Sequence, residues 1–358
     1  MYLIIKDMYL NQKCSLAVKV GNSLSNFFSS DIGVHQGDVL SPNFFKLYIN
    51  DLVSKLYTNT DAVNLDGNII NCLLYADDLM LMSTSEKGLQ TSINKLNEYC
   101  MEWGLKVNLK KTKVLIFNKG GRIVKSNIRY NRTPIESVRS YKYLGVMFTN
   151  NGKFSSARLD RGQKGMKATF KLQSIFKQCS PKFDTYMHIY DHVVKPILLY
   201  GSDIWGIDHM MKNGTLNFKM ILKDNIERSH LNFCRHLLGV NKKAPNIGIL
   251  GETGRYPISI EAVCNSIKYF IRILNSEDDS LINKAYKECL KINDENSWIG
   301  KIKQTLKVVG VSIYRHCNTT YVMKIIKNFL LNRFVEFWKN ELKGFTNSIN
   351  IFYCLLPT

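Results

Sequence analysis

The chain reads as an α+β protein: short antiparallel strands backed by a few helices, then a region that is helical to its end. Three observations in the 358-residue sequence point to this. Up to about residue 150, short apolar runs alternate or are broken by Gly, Asn and Pro turn signals. From Ser155 onward, apolar residues recur at the three- and four-residue spacing of helices. The charge follows the same division. Forty-nine Lys and Arg face 29 Asp and Glu, and the net of +20 splits into +6 over 1–150 and +14 over 151–358. A basic excess of this size suits a polyanionic partner, most often nucleic acid, and the helical part is the stronger candidate for gripping it.

Residues 2–10 carry a helical pattern. In "SLAVKVGNSLSNFFSS", Leu16, Val18 and Val20 alternate before Gly21-Asn22, which predicts a hairpin. Gly33 and Gly37 mark a flexible loop, and Ser41-Pro42 predicts a helix with Ser41 as N-cap. Phe44, Phe45, Tyr48, Ile49, Leu52 and Leu56 recur behind it at helical spacing and are expected in the core. "NIINCLLYADDLMLMS" predicts two short strands with a tight turn at Ala76–Asp78. "SEKGLQTSINKLNEYCMEWGLKVN" predicts a helix with Leu89, Ile93, Leu96 and Met101 on one side and Gly104 as its stop. "KTKVLIF" is expected as a strand, "RYNRTPIESV" as a hairpin and "YKYLGVMF" as a further strand.

Beyond "NNGKF", a long helix carries Arg158, Arg161, Lys164, Lys167 and Lys171 on about half its circumference, with Leu159, Met166 and Phe170 on the other side. Such a helix packs one face on a core and offers the other to a phosphate backbone, or is simply a solvated basic face. Further helices are expected at 184–200, 225–238, 259–275, 279–292 and 319–343. Domain boundaries fall near 150–154 and 240–258, giving 1–150, 151–245 and 246–358. The nine Cys stand singly with no C-x-x-C pair, which suits free thiols in a reducing compartment and argues against a zinc knuckle. No apolar run is long enough for a membrane span.

The chemistry points to "NCLLYADDLMLMST", where Asp77 and Asp78 interrupt an apolar run. Unpaired carboxylates have no place in a buried strand. Adjacent like charges repel unless a cation sits beside them, and hard oxygen ligands at a phosphate-handling site suit Mg²⁺.

The order of "GVHQGDVLSPNFFKLYINDL", "YADD", "WGLKVNLKKTKVLIF" and "YKYLGV" resembles the palm of reverse transcriptases from non-LTR (LINE-type) retrotransposons. "VKPILLYGSDIWG" and "ERSHLNFCRHLLGV" followed by "GETGRYPI" agree with it, so the resemblance covers roughly Ser15 to Ile258 and, more weakly, the rest. It implies an RNA-directed DNA polymerase acting on an RNA template, a DNA primer and deoxynucleoside triphosphates through two Mg²⁺ ions about 3.5–4 Å apart. Asp77 would bind metal with Asp78 in support, and Tyr75 would lie against the primer terminus. Gln36, Gly37, Ser41 and Pro42 would line the incoming nucleotide. Lys111, with Lys110 as neighbouring alternative, would assist pyrophosphate departure, and Tyr143, Leu144 and Gly145 match a primer-grip hairpin. The basic helix from Ser155 would belong to a thumb holding the template–primer duplex. Residues 1–150 would then be a partial palm, 151–245 the thumb and 246–358 a helical extension, acting in the nucleus or a cytoplasmic ribonucleoprotein.

Two departures stand out. Val39 occupies a position where the family usually has proline. The family also carries another metal-binding aspartate on an earlier palm strand; Asp7 and Asp31 do not sit in that context. The chain is therefore expected to correspond to the C-terminal part of such an enzyme, with severe loss of polymerisation by itself and poor solubility. The alternative is a non-catalytic RNA- or DNA-binding relic of such an element.

Overall fold

A computed structural model of the protein describes residues 15–29, 33–34, 37–56, 61–179, 181–209, 211–212, 215–292 and 294–346. The helix expected at 2–10, Asp7, Asp31 and Gln36 lie outside the described residues. Two units emerge: residues 1–63, 70–107 and 129–132, and residues 64–69, 108–128 and 133–358. Every sheet among the described residues has two strands.

In the first unit, β1 (Ser15–Leu16) pairs with β4 (Phe28–Ser29) and β2 (Lys19–Val20) with β3 (Ser23–Leu24). The inner ladder turns at Gly21-Asn22, where Gly21 takes φ +59°, as the turn signal predicts. Helix α1 (Ser41–Tyr48) begins one residue early: Leu40 holds the N-cap position, and Ser41, the expected cap, is already helical and buried. Pro42 sits in the first turn, where its missing N–H costs nothing. The spacing from Phe44 to Leu56 is carried by α1 and a second helix, α2 (Leu52–Leu56), rather than by one. Ile49, Leu52 and Leu56 are buried as expected, but Phe44 and Phe45 are half-buried and Tyr48 is exposed. Tyr48 has another use, since its hydroxyl donates to the Trp103 carbonyl and its ring meets Trp103 edge-on at 5.1 Å.

Residues 63–70 contribute β5 (Val63–Leu65) and β6 (Asn68–Ile70). Then come β7 (Cys72–Tyr75) and β8 (Asp78–Leu81), joined by two residues, and α3 (Glu86–Glu102). Ser85 caps α3 by accepting the Gly88 N–H at 3.0 Å, and Gly104 at φ +64° follows its end. Met101, expected on the buried side, is 74% exposed. Tyr99 takes its place: it packs with Leu52 and Leu56, and Leu79, Leu81, Leu96 and Trp103 close around them.

The second unit opens with a correction. "KTKVLIF" is not a strand; Val114 forms a single parallel bridge to Ser137, donating to Glu136 and accepting from Val138. The flanking Lys113 pairs with Glu136 at 2.6 Å. Where a hairpin was expected, β9 (Arg129–Tyr130) and the positive-φ residues Asn131 and Arg132 belong to the first unit, and β10 (Thr133–Pro134) begins the next stretch of the second. "YKYLGVMF" is two strands instead of one: β11 (Ser140–Tyr143) and β12 (Val146–Thr149) pair antiparallel with Tyr143 opposite Val146. The reason lies in the sequence, because Leu144-Gly145 takes φ +44° and +81°, the left-handed pair of a tight hairpin turn.

Helices then follow: α4 (Ser155–Cys179), α5 (Phe183–Val193), α6 (Lys195–Leu199), α7 (Ser202–Trp205), α8 (Phe218–Ile221), α9 (Asn225–Leu238), α10 (Asn246–Glu252), α11 (Ile258–Leu274), α12 (Leu281–Ile292), α13 (Trp298–Val309) and α14 (Thr319–Thr346). One hydrophobic core runs through them from Ala157 to Trp338, without a break near residue 245. Gly162 and Gly165 let α4 approach closely. A Cβ at Gly162 would meet the Asn225 carbonyl oxygen at 2.7 Å, and one at Gly165 would meet Leu198 at 2.1 Å.

Inside this core, Glu227 of α9 is fully buried, and its Oε1 accepts the Ser259 N–H at 2.6 Å. It thereby caps α11, which opens on Pro257 with no side-chain cap of its own. Burial, against the bonds from Ser259 and Ile258, raises the Glu227 pKa to about 7. His230, one turn along and equally buried, shares a 3.1 Å hydrogen bond with the Tyr190 hydroxyl. Burial, then the nearby Arg255 charge, lowers its pKa to about 3.

Candidate active site

The acidic turn is tighter than expected. Asp78 is already the first residue of β8 and stands opposite Tyr75, leaving Ala76-Asp77 as a two-residue loop. Ala76 takes φ +50°, a left-handed conformation that costs a residue with a Cβ about 1–2 kcal/mol. Strand alternation assigns the side chains to faces. Cys72, Leu79 and Leu81 meet the Leu52, Leu56 and Tyr99 cluster of α2 and α3. Tyr75 and Asp78 are on the opposite face and Asp77 is at the tip; all three are exposed. The Asn71 side chain, buried just before β7, donates to the Leu56 carbonyl and ties the hairpin to α2. The apolar run therefore anchors the turn from one side while both carboxylates meet solvent.

This donor set suits a hard divalent cation: two exposed carboxylates on adjacent residues, with room for water and phosphate oxygens. Among the described residues, no group of three or more His, Cys, Asp or Glu is arranged for a metal ion.

The residues expected to receive a nucleotide are in the same unit. Gln36 lies outside the described residues. Gly37 takes φ +92°, a conformation that favours glycine, and Asp38 accepts the Leu40 N–H at 3.2 Å just before α1. Ser41 and Pro42 form the first turn of α1, Ser41 buried and Pro42 exposed.

The second unit gathers Lys111 and the expected grip residues. Lys111 is exposed in a turn whose N–H bonds Asn108 at 3.1 Å, and its carbonyl accepts the Tyr141 hydroxyl of β11 at 3.0 Å. Tyr143, Leu144 and Gly145 form the tip of the β11–β12 hairpin. Tyr200 donates to the Leu144 carbonyl at 2.8 Å, and Arg161 donates to the Gly145 carbonyl. The Arg161 guanidinium also lies over the Tyr200 ring, 4.7 Å from its centre.

This arrangement corrects the expected basic face of α4. Arg161 is buried, not presented to solvent; Ala157, Arg161, Gly165, Thr169, Leu172 and Phe176 form the packed side. Leu159 and Phe170, expected on that side, are exposed at 42% and 55%. Glycine and threonine, invisible to an apolar count, decide which face packs. Arg158 pairs with Asp224 at 3.3 Å and Lys164 with Asp160 at 3.0 Å. Asp160 also meets Arg161 and Lys142, at 3.2 and 3.4 Å. Burial opposes its charge, but Lys164, Lys142 and Arg161 together hold its pKa below the usual carboxylate value. Lys167 and Lys171 remain exposed.

Sequence reasoning did not find Tyr200, Gly201 or Trp205 as supports of the hairpin. Gly201 at φ +74° passes under Val146, where a Cβ would come within 3.0 Å, and the Trp205 indole donates to the Tyr200 carbonyl at 3.1 Å. The signal was "LLYGSDIWG", noted as a motif without an assigned task.

Comparison with known proteins gives these residues a setting. The family model described as "Reverse transcriptase (RNA-dependent DNA polymerase)" matches residues 2–148. The RNA-directed DNA polymerase from mobile element jockey of Drosophila melanogaster is 24% identical over 233 residues, covering 62% of this chain and 24% of that protein. Two Pol polyproteins from the type-1 retrotransposable element R2 also match. That of Bradysia coprophila is 30% identical over 158 residues, 42% of this chain and 17% of its own. That of Nasonia vitripennis is 27% identical over 154 residues, 40% and 15%. The chain spans a quarter or less of the length of these relatives. The exposed paired carboxylates on their tight hairpin lie within residues 2–148, the stretch similar to reverse transcriptases, and the chain is similar to the polymerases of these retrotransposable elements.

Proposed function

We propose that this chain is the part of an RNA-directed DNA polymerase that holds the template–primer and carries the Asp77-Asp78 metal ligands. The observation that carries this reading is the Ala76-Asp77 turn, with both carboxylates exposed above a hairpin anchored on Leu52, Leu56 and Tyr99. Asp77 would hold Mg²⁺ with Asp78 beside it. When bound, the metal supplies Lewis-acid activation of the primer hydroxyl and neutralises charge on the leaving pyrophosphate. Gln36, Gly37, Ser41 and Pro42 would receive the deoxynucleoside triphosphate, and Tyr75, on the same hairpin face as Asp78, would abut the primer end. Lys111 would meet the departing pyrophosphate as a mobile point charge. Tyr143, Leu144 and Gly145 would hold the primer strand, and Lys167 and Lys171 would contact duplex phosphates. In this reading residues 1–150 serve as palm, 151–245 as thumb and 246–358 as a helical extension, in a reducing compartment, nuclear or ribonucleoprotein-bound.

A second reading, a nucleic-acid-binding protein without catalysis, is favoured by one observation. Among the described residues no third His, Cys, Asp or Glu is grouped with the pair at the turn, and two metals need at least one further carboxylate. We therefore expect this chain alone to bind template–primer yet extend it poorly. Primer extension on an RNA template with Mg²⁺ and deoxynucleotides, beside Asp77→Ala, separates the cases. Extension that vanishes in the variant supports the polymerase and refutes the insufficiency of the pair. Salt-sensitive duplex binding without extension in either protein supports the binding role, whereas no binding at all would remove both.

A further inference from the structure

The segment "PILLYGSDIWG" converges on the tip of the β11–β12 hairpin, and nothing in the chemistry at Asp77 calls for it. Both carbonyls of the Leu144-Gly145 turn are engaged from the helical side. The Tyr200 hydroxyl donates to Leu144 at 2.8 Å, and the Arg161 guanidinium donates to Gly145. The two side chains brace each other, with the guanidinium 4.7 Å above the Tyr200 ring. The ring also fills the space beside Gly145, where a Cβ would meet it at 3.0 Å. Behind them, Trp205 fixes the Tyr200 backbone and Asp160 holds Arg161 at 3.2 Å.

Two features make this more than ordinary packing. Leu144 sits at φ +44°, a conformation a leucine keeps only where its surroundings over-determine it. Arg161 is buried, and taking a guanidinium out of water to hold a turn costs more than an apolar contact would. A strained tip held through its carbonyls has a fixed position, and that is what a surface aligning a primer strand requires.

We propose that Tyr200 and Arg161 are positioning residues that set the Tyr143–Gly145 tip against the 3′-terminal nucleotide of a DNA primer. The proposal rests on the grip reading of that hairpin. It assigns to a motif of the helical region a task in primer alignment, carried out through the backbone of another element. Tyr200 and Arg161 themselves do not touch the primer.

The test uses the full chain with an RNA template and a DNA primer ending in 4-thiothymidine, crosslinked by light and mapped after trypsin. Cleavage after Lys142 and Lys153 isolates the tip in one peptide, Tyr143–Lys153. Tyr200→Phe keeps the ring, the stacking and the fill beside Gly145, and removes only the hydrogen bond to Leu144. We expect the wild type to crosslink in that peptide and Tyr200→Phe to lower the yield about fivefold, the effect of one lost hydrogen bond. Overall duplex affinity should stay within about twofold, because the phosphate contacts are untouched. Arg161→Lys, which keeps the charge but not the guanidinium geometry, should act in the same direction; if it does not fold, Tyr200→Phe carries the test alone. An unchanged yield in Tyr200→Phe would overturn the positioning role and leave the grip reading standing. Bound duplex with no crosslink to Tyr143–Lys153 in the wild type would instead overturn the grip reading and this proposal with it.

Discussion

The two units differ in how they hold the residues proposed for function. In the first, the acidic hairpin stands on a cluster whose fully buried members are Leu52, Leu56 and Tyr99. Its β2–β3 ladder exposes Val20 at 73%, and the segment before β4 exposes Phe27 at 69%. In the second, the β11–β12 hairpin proposed as a grip is backed by a continuous core that includes Tyr190, Leu198, Phe233, Ile326 and Phe334, all fully buried. The turn proposed to carry the chemistry is thus on the less buried platform, and the residues expected to hold nucleic acid are on the better buried one. Metal ligands need reach and solvent, whereas a duplex grip needs a fixed frame.

The sharpest way to break this comparison is to hollow out each core. Phe334→Ala should cost about 3–5 kcal/mol, and Leu56→Ala about 2–5 kcal/mol. Hydrogen exchange would tell them apart. Leu56→Ala should strip protection from Cys72–Leu81 while sparing Ile258–Leu274, and Phe334→Ala should do the reverse. Equal loss in both segments from either variant would mean the two units share one cooperative core.

The buried polar residues sharpen it through pH. An unfolded Glu227 ionises near 4.5, whereas the folded one holds its proton to about 7. The folded state therefore binds more protons between these values, and this stabilisation is lost as pH rises toward and through 7. His230 works in the other direction: neutral in the fold down to about 3 but protonated below 6.5 when unfolded, it costs stability as pH falls through that window. Between about 4.5 and 6.5 the two slopes oppose each other. Glu227→Gln removes one of them, so the variant should gain on the wild type as pH rises from 4.5 to 7, by ~3 kcal/mol at most. Urea melts across that range would show it, and a constant difference would refute it.

A smaller effect concerns the basic helix. Lys167→Ala with Lys171→Ala should lower the slope of log affinity against log salt by nearly 2, about 0.9 per phosphate contact. Lys164→Ala, already engaged by Asp160, should lower it by less. The smallest expected effect is Ala76→Gly. Relief of the left-handed strain and the added freedom of the unfolded chain nearly offset each other, leaving a change within about 1 kcal/mol in denaturant unfolding.

Much of this was legible in the sequence. Gly21-Asn22 marked its turn, Gly104 followed the end of its helix, and five of the late helices are close to where apolar spacing put them. Ser297 accepting from Gly300 and Gly310 at φ +74° bound α13, yet that helix went unread although both cap signals were present. The face of α4 was misread for a different reason. Apolar counting favours Leu159 and Phe170, but close helix approach selects Gly162, Gly165 and Thr169. The carboxylate pair was conspicuous because its residue type conflicts with its surroundings. Tyr200 was not, and Arg161 was read as part of a basic face, because their contacts are with a hairpin 16 or more residues away in the chain.

Iron-mediated cleavage tests Asp77 as a metal ligand directly, whether or not the chain polymerises. Fe²⁺ is substituted for Mg²⁺ with template–primer bound, ascorbate and peroxide are added, and the backbone cuts are mapped. With Asp77 on the metal, cutting falls within Tyr75–Leu79 and disappears in Asp77→Asn while the circular dichroism spectrum is unchanged. Cutting at that turn undiminished in Asp77→Asn, or cuts elsewhere and none at the turn in the wild type, would contradict that ligand role.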